Sequence, residues 1–310
     1  MKSPGGTFNG PWLWAGSVGA IAMSLATLAS AQELEPRSYS PSPVGANFIV
    51  AGYGRSDGQV TFDAASPISD ARATINIATV GYSRVFGLAG RQASLSAIVP
   101  YTWGDASGNV GETSHAITRS GLGDLRMKFS VLLVGGPALS RRAFAARTPA
   151  PIVGVSLVAV APTGEYLPDK LINIGANRWA LKPEIGVAYP MGRWQADLYA
   201  GVWLYGDNDD FFGGRTRKRD PMGTFQAHLS YTVRPGLWVA LNSTYYRGGA
   251  TQVDGLRDPN SQSSARLGLI VSAPVSRTES VQLGYSKGAM TRIGGDFSSF
   301  MVSWRALRFD

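Results

Sequence analysis

The chain of 310 residues has no cysteine, which removes disulfide frameworks, thiolate metal sites, cysteine nucleophiles and a lipidated-cysteine anchor at once. Charge is also scarce: Asp, Glu, Lys and Arg make up 16% of the residues, and histidine occurs only twice. Beyond Leu28 every apolar run is broken within a few residues by Gly, Pro, Ser or a charge. No helix after that point can therefore cross a bilayer. A phosphate-binding glycine loop and the HExxH motif are missing too. The oxygen-rich run Asp207-Asn208-Asp209-Asp210 lacks the spacing of a Ca²⁺ loop and reads as a solvated loop. The sequence implies no cofactor, no metal and no catalytic residue.

What is present begins with an address. Lys2 gives a small basic region, the stretch from Trp12 to Leu28 is apolar, and Ala29-Ser30-Ala31 has the small-x-small pattern of a cleavage site. These features predict a signal peptide over 1–31, cut after Ala31, and export. A short periplasmic segment is expected over 32–44, followed by one large unit over 45–309.

The chain as a whole is rich in residues that suit a membrane barrel, with Gly 38, Trp 8, Tyr 12 and Phe 12. Its segments of about ten residues alternate in polarity, the length and period of a tilted transmembrane strand. Phe225, Ala227, Leu229, Tyr231 and Val233 interleave with Gln226, His228, Ser230 and Thr232. Leu267, Leu269, Val271 and Ala273 interleave with Arg266, Gly268, Ile270 and Ser272. A helix, with its 3.6-residue period, would scramble this order. Only helices and closed barrels satisfy their backbone groups in lipid, so the strands must close on themselves.

The predicted fold is all-β: an antiparallel, up-and-down transmembrane β-barrel of about twelve strands. They are expected near 45–55, 72–87, 91–104, 121–135, 151–162, 178–190, 193–206, 222–234, 236–248, 264–275, 278–289 and 296–307. Short turns at 88–91, 191–193, 234–236 and 276–279 alternate with long polar loops at 56–71, 105–119, 163–177, 207–221 and 249–263. The segment 136–149 breaks that rule, being long where a turn is due. An even strand number places both ends in the periplasm and the chain in the bacterial outer membrane. A soluble β-sandwich is the rival fold for such alternation.

If the apolar parity faces lipid, the other faces the lumen. That set contains Asp124, Arg126, Lys128, Lys182, Glu184, Asp197, His228, Arg266 and Arg305, because charges at these depths are costly against hydrocarbon. They could guide a solute, or could pair with one another and fill a narrow bore. His228 and Ser230 share a face, with Asn242 on the next strand. Their spacing resembles that of outer-membrane phospholipase A, yet Tyr231-Thr232 stand where that family carries Asn-Gly. The net charge of +8 is spread along the chain, apart from a cluster at Arg215, Arg217, Lys218 and Arg219. Export excludes nucleic acid, and outer-membrane lipid with lipopolysaccharide phosphate is the fitting partner.

Several longer runs are distinctive: GLGDLRMKFS (121–130), TGEYLPDKLINIGANRWALKPEIGV (163–187), DNDDFFGG (207–214), RDPMGTFQAHLSY (219–231), RPGLWVALNSTYYRGG (234–249) and TRIGGDF (291–297). Over most of residues 45–307 they resemble the outer-membrane transporter-like family named for the meta-pathway of phenol degradation. The run Asn173-x-Gly175-x-Asn177-Arg178-Trp179 is the most specific part. The resemblance implies a barrel that moves small hydrophobic or aromatic solutes inward by passive uptake, with no catalytic residues. Its recurrent residues Gly164, Tyr166, Lys170, Asn173, Gly175, Asn177, Asp207, Asp209, Asp210, Gly294, Gly295 and Asp296 fall at loop edges, where they either shape the loops or gate a substrate. A closed barrel serving as a structural or surface-interaction element is the alternative, and a lipid hydrolase using Ser230 the third.

Overall fold

The computed structural model describes residues 34–61 and 68–310. The expected signal peptide over 1–31 lies outside the described residues. The strands are β1 (Ala46–Thr61), β2 (Ile68–Leu88), β3 (Arg91–Val110), β4 (Thr113–Leu122), β5 (Leu125–Val134), β6 (Ile152–Ala161), β7 (Ala180–Met191) and β8 (Trp194–Tyr205). They continue as β9 (Asn208–Phe211), β10 (Arg215–Arg219), β11 (Met222–Arg234), β12 (Leu237–Gly248), β13 (Thr251–Val253), β14 (Leu256–Arg257), β15 (Gln262–Pro274), β16 (Glu279–Thr291) and β17 (Gly294–Phe309). One short helix, α1 (Arg141–Ala145), follows β5.

All neighbours in the large sheet run antiparallel, and β1 pairs with both β2 and β17, so the sheet has no free edge. β4 and β5 share one lane beside β3, which leaves a closed barrel of twelve strands. The rival β-sandwich is thereby ruled out. Turns at one end are tight. Leu88 pairs with Arg91, and Ala89 and Gly90 both have positive φ (48° and 75°), the conformation a twisted two-residue hairpin demands.

The outer wall is apolar: Val80, Leu95, Leu198, Leu229, Leu241, Leu269 and Leu283 are all exposed. Aromatic side chains bound this belt, with Tyr82, Tyr189, Trp194 and Trp304 toward the tight-turn end and Tyr101, Trp179, Phe225 and Phe300 toward the other. Such a surface is stable only in a bilayer, with the aromatic rings at its two interfaces.

The structure departs from the sequence expectations in several places, and the expected loop 56–71 is itself largely strand, β1 running to Thr61 and β2 starting at Ile68. The expected loop 105–119 is a hairpin of β3 and β4, which extends the sheet beyond the membrane belt. The expected single strand 121–135 is broken at Gly123-Asp124. Gly123 crosses so close to Pro100 that a Cβ there would lie 2.8 Å from its ring. The loops 207–221 and 249–263 fold into a small separate sheet ordered β14-β13-β10-β9, which caps the loop end. The long connection 136–149 is ordered by α1, whose Ser140 side chain caps Ala143 N, while the Arg141 guanidinium lies 4.1 Å from the Phe309 ring.

Candidate functional site

Strand parity places one polar face of each strand inside the barrel. Lys182 and Glu184 on β7, Asp197 on β8, His228 on β11 and Arg266 on β15 are all buried there. Arg126 and Lys128 project from β5 into the same space, where Lys128 Nζ lies 3.9 Å from the Glu184 carboxylate. Lys182 Nζ and Glu184 Oε2 are 2.8 Å apart. A carboxylate two residues along on the same face of the strand offsets the cost of burying the ammonium.

The lumen is not empty. Residues 34–44, expected in the periplasm, run inside the barrel from its middle to the tight-turn mouth. Glu35 accepts from Lys128 Nζ at 2.7 Å and lies 3.6 Å from Arg126 Nη2. Arg37 donates to Ser230 Oγ at 2.9 Å and Thr232 Oγ1 at 2.7 Å, with its guanidinium 4.8 Å from the Trp238 ring. The Tyr39 hydroxyl meets Ser156 Oγ at 2.9 Å and donates to Glu184 Oε1 at 3.1 Å. Lys128 and its neighbours hold the Glu35 carboxyl below the usual carboxylate range, against the opposing pull of burial.

Seating this segment needs glycine. Gly154 and Gly186 are opposite each other on β6 and β7. A Cβ on either would come within 2.3 Å or 2.2 Å of the Tyr39 ring, so the two glycines form a flat seat for it. A Cβ on Gly268 would likewise meet Leu34 at 2.4 Å. The plug residues Glu35, Arg37 and Tyr39 were absent from the sequence-derived set. Their signal was the alternation Glu35-x-Arg37-x-Tyr39 together with glycines at lumen parity.

The remaining sequence-derived residues divide. Arg266 is tied to the wall through Ser286 Oγ at 3.2 Å, Phe297 O at 2.8 Å and Ser299 Oγ at 3.3 Å. Arg305 faces the lumen near the tight-turn mouth, 6.0 Å from the Phe48 ring. Asp124 is not a lumen strand residue. It sits in the β4–β5 break, where its carboxylate accepts from Gly164 N and Ala176 N, each at 2.9 Å, and so pins the loop 162–179. Burial is the main influence on this carboxyl and pushes it up, while those N–H groups pull it down.

His228 Nδ1 pairs with Asn242 Oδ1 at 2.8 Å, and its Nε2 has no hydrogen-bond partner among the described residues. Ser230 Oγ is taken by Arg37. His228 and Ser230 share the lumen wall, away from lipid. The recurrent loop-edge residues knit the cap: Asn173 bridges Leu167 and Lys170 through its amide, and Asn177, at φ 50°, donates to Asn208.

The family model described as "Putative MetA-pathway of phenol degradation" matches residues 46–300. The chain belongs to this family. An outer membrane channel from Pseudomonas putida F1 superposes with a TM-score of 0.74 at 23% identity, over 89% of this chain and 100% of that one. The beta domain of the Bordetella autotransporter BrkA gives 0.52 at 15% identity, over 84% and 99%. The transport unit of the autotransporter AIDA-I from Escherichia coli gives 0.52 at 10%, over 93% and 98%. At these identities the likeness is one of fold: family membership and outer-membrane barrel architecture agree. No curated protein matches the chain.

Proposed function

We propose that this member of the phenol-degradation family is a passive outer-membrane channel for small hydrophobic or aromatic solutes, held shut at rest by residues 34–44. One observation carries the reading: the segment that fills the lumen is fastened by side chains and not by sheet pairing. Its backbone N–H groups at Arg37, Ser38 and Ser42 go to Asp197, Tyr199 Oη and Gln92 side-chain oxygens. Backbone pairing to the rest of the chain begins only at Val44, with Leu139 O, and Gly45, with Val85 O.

Releasing the plug breaks ten hydrogen bonds that involve side chains, each worth about 0.5–1.5 kcal/mol net, and leaves the barrel ladder intact. The freed bore is lined by Tyr199 and Trp203 as well as by charges, a surface that suits a ring better than a sugar or a bare ion. Lipopolysaccharide and outer-membrane lipid are the surroundings this belt requires.

Planar-bilayer conductance and liposome uptake of phenol test the proposal. Full-length protein is expected to show brief, small openings. A deletion of 34–40 is expected to conduct steadily and admit the solute. A deletion variant that folds as a barrel yet passes nothing would overturn the channel reading.

A further inference from the structure

The cap above the lumen contains a concentration of positive charge that the chain leaves uncompensated. Arg178 is buried, 5% exposed, and its guanidinium lies 5.1 Å from the Tyr205 ring. Arg219 lies 4.7 Å from the same ring, and Arg217 lies 5.2 Å from Phe211. Nη1 of Arg178 and Nε of Arg217 are buried with no hydrogen-bond partner. No carboxylate among the described residues forms an ion pair with any of the three. Asp124 is occupied by backbone N–H groups, Asp207 holds Lys218 at 2.8 Å, and Asp258 holds Thr251 Oγ1 at 2.8 Å. Burial, then the neighbouring guanidiniums, push Arg217 down to about 9; burial and Arg219 push Arg178 down to about 10. A buried guanidinium beside two half-buried ones, with two buried donors left free, calls for an anion.

What lies below the cluster narrows the anion. Tyr205 stacks on Trp203 at 6.3 Å and 17°, both on the lumen parity of β8. Lys182 Nζ lies 5.4 Å from the Trp203 ring, and Arg126 lies 5.7 Å from it. Cations and aromatic faces thus alternate from Arg178 and Arg219, through Tyr205 and Trp203, to Arg126 and Lys182. At the lower end, Arg126 and Lys128 already hold a carboxylate, that of Glu35. The chain's own plug shows which group these lumen cations accept.

We infer that Arg178, Arg217 and Arg219 form the outer binding site for the carboxylate of a small aromatic acid, whose ring then passes along Tyr205 and Trp203. The inference rests on the channel reading and deepens it by giving the solute a charge. A guanidinium fork matches a planar carboxylate, and the stacked rings suit an aromatic body. Arg178 and Arg219 lie against Tyr205, which is on the lumen parity of β8, and the cluster therefore favours a solute anion over a lipid phosphate.

The test is equilibrium binding to the full-length barrel in detergent, by calorimetry, with benzoate, benzyl alcohol, inorganic phosphate and lipopolysaccharide. Benzoate is expected to bind saturably and benzyl alcohol at least about tenfold more weakly, a difference of about 1.4 kcal/mol. R217Q and, separately, R178Q are expected to weaken benzoate by a similar factor while leaving ligand-free heat stability unchanged or higher, since a like-charge neighbour is removed. Equal binding of benzoate and benzyl alcohol would overturn the inference. So would lipopolysaccharide or phosphate binding without benzoate, which would make the cluster a lipid-phosphate site. Variants that lose heat stability yet bind benzoate as wild type does would assign the arginines a structural role instead. Binding needs no flux, so a barrel that passes phenol without binding benzoate keeps the channel reading and loses this one.

Discussion

The lower lumen and the cap use the same materials, cations beside aromatic rings, and differ in where the negative charge comes from. Below, Lys128 meets Glu35 and Lys182 meets Glu184, both supplied by the chain. Above, Arg178, Arg217 and Arg219 form no ion pair among the described residues and meet rings and carbonyl or thioether groups. Charge on a cation is thus balanced locally in one region and left for a partner in the other. Closure of the pore and recognition of its solute then fall to separate places along one aromatic ladder.

The largest effect is expected from deletion of residues 34–40. Bilayer recordings should pass from brief openings to a steady conducting state, while the cap's benzoate affinity stays within about twofold, since none of the hydrogen bonds of residues 35–42 goes to the three arginines. Next in size is Glu184→Gln, which removes the carboxylate serving Lys182, Lys128 and Tyr39. It should destabilise the barrel by about 3 kcal/mol in a heat-modifiability or denaturant assay, whereas Arg217→Gln in the cap should cost nothing. Equal losses at the two positions would erase the distinction.

Gly186→Val should expel Tyr39 from its seat and raise the open probability without unfolding the sheet. Protease cleavage near Arg37 would report the freed segment. A smaller effect is expected for Glu35→Gln. The Glu35 side chain keeps 37% of its surface open to lumen water, so its pair with Lys128 is screened and worth about 0.2–1 kcal/mol, a modest rise in open time.

The least effect is that of mild acid. Glu35 has an ordinary value of 4.5 and is held lower when docked. A depressed acid stabilises the docked state fully above its free value and loses that contribution as pH falls toward the docked one. Conductance should stay flat from about pH 8 to pH 5 and rise only below about pH 4. A steady rise between pH 7 and pH 5 would show that Glu35 is not the group that governs closure.

Much of this could be read from residue order. The alternation of Phe225, Ala227 and Leu229 with Gln226, His228 and Ser230 assigns an inside and an outside without coordinates, because a strand has a period of two. The same rule put Lys182, Glu184, Asp197 and Arg266 in the lumen. It failed at Asp124, where Gly123 lets the backbone leave the strand and the carboxylate turn to Gly164 and Ala176. It was silent on Glu35 and Tyr39, which belong to no strand and contact residues more than ninety positions away. The arginine cluster was visible only in part: Arg215, Arg217, Lys218 and Arg219 stood out, while Arg178 joined them only through the folded cap.

Residue order alone was enough to specify a closed sheet with oil outside and water within, since polarity repeats along each strand whatever the strand's neighbours are. Tertiary structure alone decided what occupies the interior and where its charges find partners. A plug docks by distant side-chain contacts, and a carboxylate is present or missing at a given cation only once the loops have closed over it.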